Sequence, residues 1–191
     1  MKSLRLALTE QVRQLPGVAS VAVASRPLIR GSGIKMTVVP QGQRATPADF
    51  LNTSTNSVTP GYFETMGLRL LAGRDLTPAD EPAKNTTTKV VVNQAFAAKL
   101  FSGLDPVGRR FGNSSSPGAY EIAGVVSDSK YRSLREPMTP TFYIVWSDGA
   151  IQPMQLEVRA RTAAVSHSTG TAGARRTRSG AAIYRNRSDV R

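Results

Sequence analysis

Few residues in this sequence are of the types that carry out nucleophilic, acid–base or metal chemistry, and they are scattered along the chain. The one histidine is His167, and cysteine is absent. A histidine-based triad or a cluster of histidine and thiolate metal ligands needs more than this. The stretch around His167 is rich in Arg, Ser, Thr and Gly, so we expect this histidine to lie in solvent rather than in a site.

Two short patterns match the spacing of known sites but lack the remaining parts of those sites. Ser127 and Lys130 have the Ser-x-x-Lys spacing of penicillin-binding enzymes, in which the serine begins a helix and two further motifs complete the site. Here an apolar strand pattern precedes Ser127 and the other motifs are missing, which favours a polar turn. Residues 31–33 are Gly-Ser-Gly, but Met36 stands where a dinucleotide-binding loop has its third glycine.

The acidic residues Asp75, Asp80 and Glu81 lie in turn contexts. Thr77 and Asp80 predict a capped turn, in which Asp80 closes a capping box. Helix capping explains these carboxylates better than paired acid–base catalysis does, and no ATP-binding P-loop pattern occurs. We therefore expect no enzyme activity and assign no catalytic, cofactor-binding or metal-binding residue.

Apolar residues recur at helical spacing near the N-terminus and again after Asn93. The first set predicts an amphipathic helix over residues 3–15, and the second predicts a helix that Asn93 caps. Thr59 as the cap and Pro60 at the first helical position predict a third helix start, and Gly67 must end that helix. The apolar positions of the two longer helices are Leu4, Leu8, Val12 and Leu15, and Phe96, Ala97, Leu100 and Phe101.

Alternating or compact apolar runs predict strands, separated by Gly, Pro and polar turns. Several strands with a few helices, in no strict alternation, favour an α+β fold over a doubly wound sheet. The predicted strands cover residues 18–25, 34–39, 52–58, 68–71, 89–92, 120–126, 141–146 and 154–159.

The net charge of +12 suggests nucleic acid or an anionic membrane surface as a partner. Its distribution weakens that interpretation. Residues 160–191 contain seven arginines and one acid, Asp189, whereas residues 1–159 contain 18 basic and 12 acidic side chains. The terminal segment has no sustained apolar periodicity, so we expect a disordered tail over residues 160–191 and a single mildly basic body over residues 1–159.

The charge leaves a second function class open, a free-standing basic module that binds nucleic acid or an anionic membrane surface. Its best candidate clusters are residues 109–111 (Arg-Arg-Phe) and 130–132 (Lys-Tyr-Arg), where basic residues adjoin an aromatic ring. Each is a single cluster beside a turn, so we expect no specific nucleic-acid partner. Deletion of residues 160–191 separates the two classes, because loss of binding to DNA or anionic vesicles would assign the basicity to the tail.

Apolar runs in the sequence are short. None approaches the roughly 20 residues that cross a bilayer. The first apolar run is interrupted at Thr9 and Glu10 before a signal-peptide core forms. We therefore expect the chain as written to contain neither a membrane span nor an export signal.

Five sequence blocks follow one another in the order and at the spacing of one protein family. Together they resemble the MacB-like periplasmic core domain of FtsX-like ABC-transporter permeases, of the type with duplicated permease halves found in soil bacteria. The similarity extends over residues 1–159. The blocks are residues 58–75, 89–101, 105–111, 120–128 and 140–143.

The resemblance implies a domain on the periplasmic face of the inner membrane, inserted between the first transmembrane helix of a permease and the later ones. It implies a mixed-sheet α/β lobe with a smaller β-rich lobe, here at about residues 74–135, and neither catalytic residues nor a cofactor. The partners it implies are the transmembrane segments of the parent permease, a separate cytoplasmic ATPase subunit, and a periplasmic adaptor or substrate protein. The domain would couple ATPase-driven motion to those outer partners.

The sequence departs from the family pattern at both ends. The helix at residues 3–15 corresponds to the segment after the first transmembrane helix, and that transmembrane helix is missing. Residues 160–191 lack the helix and strand with which the family's core continues. We therefore expect a truncated, non-transporting fragment with an atypical C-terminal tail.

Overall fold

The structure is a computed structural model that describes residues 2–26, 34–42, 50–84, 86–129, 138–148, 153–161, 175–176 and 181–183. Its helices are α1 (Lys2–Arg13), α2 (Tyr62–Met66) and α3 (Gln94–Leu100) within these residues, with a 3-10 turn at Pro78–Asp80. The strands found there are β1 (Val18–Ala24), β2 (Ile34–Pro40), β3 (Leu51–Val58), β4 (Leu70–Gly73), β5 (Thr88–Asn93), β6 (Arg110–Asn113), β7 (Ser116–Val126), β8 (Thr141–Val145), β9 (Gln155–Ala160), β10 (Arg175–Arg176) and β11 (Ala181–Ile183).

The α+β prediction is confirmed, and the eight predicted strands are all present. Most begin and end within about two residues of their predicted limits, but β7 begins at Ser116, four residues early. Strand β6 was not predicted, because its sequence Arg-Phe-Gly-Asn contains a single large apolar residue. In the described parts of the chain, no helix combines the length and apolarity that crossing a bilayer requires.

Six strands pair in a closed circuit, which we call the ring. The order is β3, β2, β6, β7, β5 and β8, and β8 returns to β3. The β3–β8 and β5–β7 pairings are parallel and the others are antiparallel, so the sheet is mixed, as predicted. Strands β1, β9, β11 and β10 continue the sheet outward from β3.

The ring encloses one hydrophobic cluster. Every ring strand contributes to it, and α3 and its C-cap add Phe96 and Phe101. The rings of Phe96 and Phe111 have their centroids 4.8 Å apart. Because one cluster collects a side chain from each strand, the inward faces of the six strands share a common interior. Those side chains are Val38, Leu51, Val90, Phe111, Ile122 and Phe142.

A second cluster lies on the outer face of the same strands, under α2. Tyr143 belongs to it although its neighbour Phe142 belongs to the ring interior, since successive residues of a strand point to opposite faces. Tyr62 and Phe63 of α2 pack on Tyr143, with ring centroids 6.0 and 5.0 Å from it. Ala22 of β1 completes the contact, so α2 joins the ring to β1.

The prediction that Thr59 caps α2 is wrong. The N-cap is Gly61, with a φ of 81°, and the Thr59 hydroxyl instead accepts a hydrogen bond from the Val23 N–H at 2.8 Å. The Thr59 hydroxyl oxygen, which was predicted to cap the helix, is therefore hydrogen-bonded to β1 instead. Gly67 ends α2 as predicted, with a φ of 71°.

Residues 160–191 lie largely outside the described residues. Within them, β11 pairs antiparallel with β9, so that Ala182 lies opposite Val158. The predicted disorder of this tail, the body limit at residue 159 and the smaller lobe at about residues 74–135 stay predictions. His167, residues 31–33 and residues 130–132 lie outside the described residues.

Candidate functional site

Helix α1 and strand β9 meet on β1, and we call these three elements the base. Strand β9 pairs with β1 along its length, from Val18 opposite Ala160 to Ala24 opposite Gln155. Helix α1 packs on the same strand. Helix α1 and strand β9, which are far apart in sequence, are therefore joined through β1.

Arg5 ties α1 to the segment that follows β8. Its Nε and Nη2 donate to the two carboxylate oxygens of Asp148, at 2.9 and 2.7 Å. Trp146 Nε1 donates to Asp148 Oδ1 at 3.3 Å. This fork-to-fork geometry is the strongest form of an arginine–carboxylate pair.

Partial burial makes the Arg5–Asp148 pair more than a surface ion pair. The two side chains are only 13% and 14% exposed. Hydrogen bonding to Asp148 raises the pKa of Arg5 above its usual value, so Arg5 remains charged. Removal of one partner would leave the other charge poorly solvated, which costs far more than the loss of an exposed pair.

The packed side of α1 differs from the predicted apolar stripe. Leu8 and Val12 are half-buried as expected, whereas Leu4 and Leu15 are 58% and 56% exposed. Arg5 lies on the packed side in their place. With little apolar burial of its own, α1 depends on the Arg5–Asp148 pair for its position.

Arg159 ties β9 to α2 in a similar way. Its Nε donates to the Thr65 carbonyl at 3.0 Å, and a cation is favourable where the last carbonyls of a helix lack N–H partners. The guanidinium lies over Gly67, so that a Cβ at that position would approach Nη2 to 2.5 Å. Gly67 is therefore favoured by its positive φ, and a Cβ there would also require the Arg159 guanidinium to shift.

Glu157 is the most unusual side chain of the base. It lies opposite Ala22 in β9, on the same face as Arg159, and is 1% exposed. Its Oε1 has no hydrogen-bond partner among the described residues. Burial raises the pKa of this carboxyl to about 7, because the charged form loses its hydration.

The predicted capped turn at residues 77–80 is confirmed as a structural element. Asp80 accepts hydrogen bonds from the Thr77 N–H at 2.8 Å and from both Nη groups of Arg74 at 2.7 Å. These hydrogen bonds, first of all those from Arg74, hold the pKa of Asp80 well below its usual range. Burial raises the pKa of neighbouring Asp75. Both carboxylates therefore accept hydrogen bonds from the backbone of this turn region.

Of the Ser-x-x-Lys pattern at residues 127–130, the structure describes residues 127–129. Ser127 follows β7, as the turn interpretation requires, and its Oγ accepts from the Arg69 N–H at 3.1 Å. Lys130 lies outside the described residues. Across the described ranges, no three His, Cys, Asp or Glu side chains are grouped as metal ligands.

Phe111 is the aromatic residue of the basic cluster at residues 109–111. Its phenyl group is fully buried in the interior of the six-stranded ring, where it packs against Phe96 and Phe142. A base cannot stack on a buried ring. The aromatic member of this cluster is therefore unavailable to nucleic acid.

A family model supplies the identification. The model of the MacB-like periplasmic core domain matches residues 1–178. The chain belongs to this family. Its members are periplasmic domains of ABC-transporter permeases, and the match extends past residue 159.

Two solved structures share the fold of this MacB-like domain. The periplasmic region of MacB from Actinobacillus actinomycetemcomitans is 17% identical, with a TM-score of 0.54, over 81% of this chain and 64% of that one. The extracellular domain of the noncanonic ABC-type transporter YknZ from Gram-positive bacteria is 18% identical, with a TM-score of 0.52, over 81% of this chain and 71% of that one. The chain thus spans less than two thirds of the MacB structure. No curated protein sequence matches it.

Sequence reasoning missed the residues of the base. Arg5 and Asp148 are 143 positions apart, and nothing in either local pattern indicates a partner. Glu157 alternates with Leu156 and Val158, which is typical of a strand with one solvated face. A glutamate in that pattern predicts exposure, so only the packing of α2 on β9 and β1 reveals its burial.

Proposed function

We propose that this domain couples movements of a membrane permease, driven by a separate cytoplasmic ATPase subunit, to proteins on the outer side of the membrane. Membership of the periplasmic core domain family supports the setting. The proposal assigns no reaction to the domain, which needs only to make contacts and move. The transmembrane segments of the permease and a periplasmic adaptor or substrate protein are the partners we propose.

The Arg5–Asp148 pair is the observation that carries the proposal. A force applied to α1 reaches the sheet through β1, on which the helix packs, and through the segment after β8, which Arg5 holds by two hydrogen bonds. A force applied to β9 reaches β1 through strand pairing and α2 through Arg159. The base therefore transmits movement of either segment to the whole ring instead of absorbing it.

The family setting provides the test. In a MacB permease whose periplasmic region is replaced by this domain, Arg5→Gln should lower export several-fold while ATP hydrolysis continues. The matched control is Arg13→Gln, because Arg13 lies on the same helix but pairs with Glu10 on its exposed side, where the two side chains are 56% and 54% exposed. Equal export by the two variants would contradict the coupling role of the base.

A further inference from the structure

A groove opens beside the ring, away from the base, where β2 ends and the turn after α3 leads into β6. Its volume is about 510 Å³, within the range of small-ligand and peptide sites. Described residues from four segments line it: Pro40, Gln41, Phe101, Leu104, Gly108, Arg109, Arg110 and Glu121.

Arg109 presents an uncommitted guanidinium to this groove. Among the described residues its side chain makes one hydrogen bond, from Nε to the Asp105 carbonyl at 2.7 Å, which leaves both Nη groups for a ligand. The turn that carries it is fixed, since Asp105 Oδ1 accepts from the Val107 N–H at 3.0 Å and the Gly108 N–H donates to the Ile122 carbonyl at 2.8 Å. The guanidinium is therefore held in place before a ligand arrives.

The remaining charges leave the groove positive. Glu121 accepts from Lys89 and, at 3.0 Å, from Arg110. Hydrogen bonding to Lys89, then to Arg110, lowers the pKa of Glu121, so this carboxylate stays charged and is balanced by two cations. Arg109 adds a further positive charge.

An apolar wall lies beside these charges. Phe101 is buried at 6% exposure and forms the floor, whereas Leu104 is 52% exposed. An isolated exposed leucine needs no explanation, but this one borders the same groove as the Arg109 guanidinium. A ligand that covers Leu104 and pairs with Arg109 would combine apolar burial with a bidentate contact.

We propose that this groove binds an extended peptide segment in which a carboxylate side chain, held by Arg109, adjoins an apolar side chain that packs on Leu104 and Phe101. A planar carboxylate with a single charge matches the Arg109 fork. The exposed Leu104 beside Arg109 favours a peptide over a free phosphate, because only a ligand with an apolar group covers that side chain. Among the described residues that line this groove or adjoin Arg109, no aromatic ring is exposed for a nucleic-acid base to stack on, because Phe101 and Phe111 are buried. The proposal concerns a surface apart from the base and stands or falls independently of the coupling role.

The test uses the full 191-residue chain and two blocked peptides, acetyl-Leu-Asp-Leu-amide and acetyl-Leu-Asn-Leu-amide. Backbone amide NMR should show saturable shifts at Gln41, Gly108 and Arg109 with the Asp peptide, and at least tenfold weaker binding with the Asn peptide. Arg109→Gln should weaken the Asp peptide at least tenfold. Leu104→Ser should weaken it too, but should leave acetyl-Gly-Asp-Gly-amide unaffected.

Arg69→Gln is the matched control and should bind the Asp peptide as the wild type does. Arg69 is exposed and its backbone pairs with Ser127, six residues along β7 from Glu121 and thus about 20 Å from the groove. Equal affinity for the Asp and Asn peptides, or unchanged binding in Arg109→Gln, would overturn the proposal. So would displacement by inorganic phosphate or a thymidine oligonucleotide at equal or lower concentration, which would indicate a general anion site.

Discussion

Titration of Glu157 should make the stability of this domain depend on pH in a direction opposite to that of an ordinary paired carboxylate. The pKa of Glu157 is raised by burial from 4.5 to about 7 in the folded chain. Between these values the unfolded chain has lost the proton that the folded chain keeps. The unfolded state then binds fewer protons, so the free energy of unfolding falls as pH rises.

The size of the effect follows from the two pKa values. The stabilisation is fully present below pH 4.5 and is lost as the pH rises through about 7. The interval spans about 2.5 pKa units, and each unit corresponds to about 1.4 kcal/mol, which gives about 3 kcal/mol in all. That is a large fraction of the stability of a typical domain.

Glu157→Gln removes this titration while nearly preserving the shape of the side chain. The measurement is urea unfolding at pH 5 and pH 8, followed by fluorescence of the buried Trp146. Wild type should lose about 2–3 kcal/mol more between the two pH values than Glu157→Gln does. Comparison with this variant cancels the other titrating groups.

Arg159 shares the face on which Glu157 lies, and α2, which packs on β9, carries Tyr62 and Glu64. Arg159 lies two residues along the same strand with its Nε on Thr65, Tyr62 is buried in α2, and Glu64 is exposed on α2. Glu64→Gln is therefore the control variant and should retain the wild-type pH dependence. Equal loss of stability in wild type and Glu157→Gln would show that the folded chain does not hold this carboxyl uncharged, which refutes the reasoning.

Three further predictions concern α1, α3 and the close backbone approach at Gly73. Arg5→Gln should speed amide hydrogen exchange throughout α1 and leave the ring protected, whereas Arg13→Gln should change the exchange of neither. Faster exchange of α1 in both variants would contradict the assigned role of Arg5. Asn93→Ala should lower the free energy of unfolding by about 3 kcal/mol, because its buried Oδ1 accepts from the backbone N–H groups of both Phe96 and Thr141. Urea denaturation measures this loss, and the exposed control Asn113→Ala should lose less than about 1 kcal/mol. Gly73→Ala should destabilise the chain more than Gly103→Ala does. Both glycines have a positive φ, but of the two only Gly73 would place a Cβ against backbone, 2.2 Å from the Ala123 carbonyl oxygen. Equal thermal midpoints of the two variants would contradict the close approach.

The sequence was sufficient for most individual elements and for the family. Helix α3 is predicted by Asn93 and its apolar face, and the same Asn93 caps it by accepting from the Phe96 N–H at 3.0 Å. Local rules work here because cap, periodicity and turn residues all favour the same structure. The ordered blocks at residues 58–143 identify the family for a related reason, since each block coincides with an element and its turn.

Closure of the ring could not be predicted in this way. It depends on β6, which is four residues long, and on the parallel pairing of Ser54–Val58 with Thr141–Val145. Partners more than 80 residues apart in sequence leave no local trace. The same reason hides the Arg5–Asp148 pair, the burial of Glu157 and the groove beside Arg109, all of which arise only when distant segments meet.

The central claim is that the base moves as one body with the ring, and one distance measures this directly. The chain contains no cysteine, so Gln11→Cys on α1 and Asn113→Cys at the end of β6 would be its two sites for spin labels. Both positions are exposed. In a MacB permease that lacks other cysteines and has its periplasmic region replaced by this domain, the account predicts the same narrow distance distribution in the nucleotide-free and ATP-bound states. A shift of α1 relative to the ring on ATP binding would contradict it.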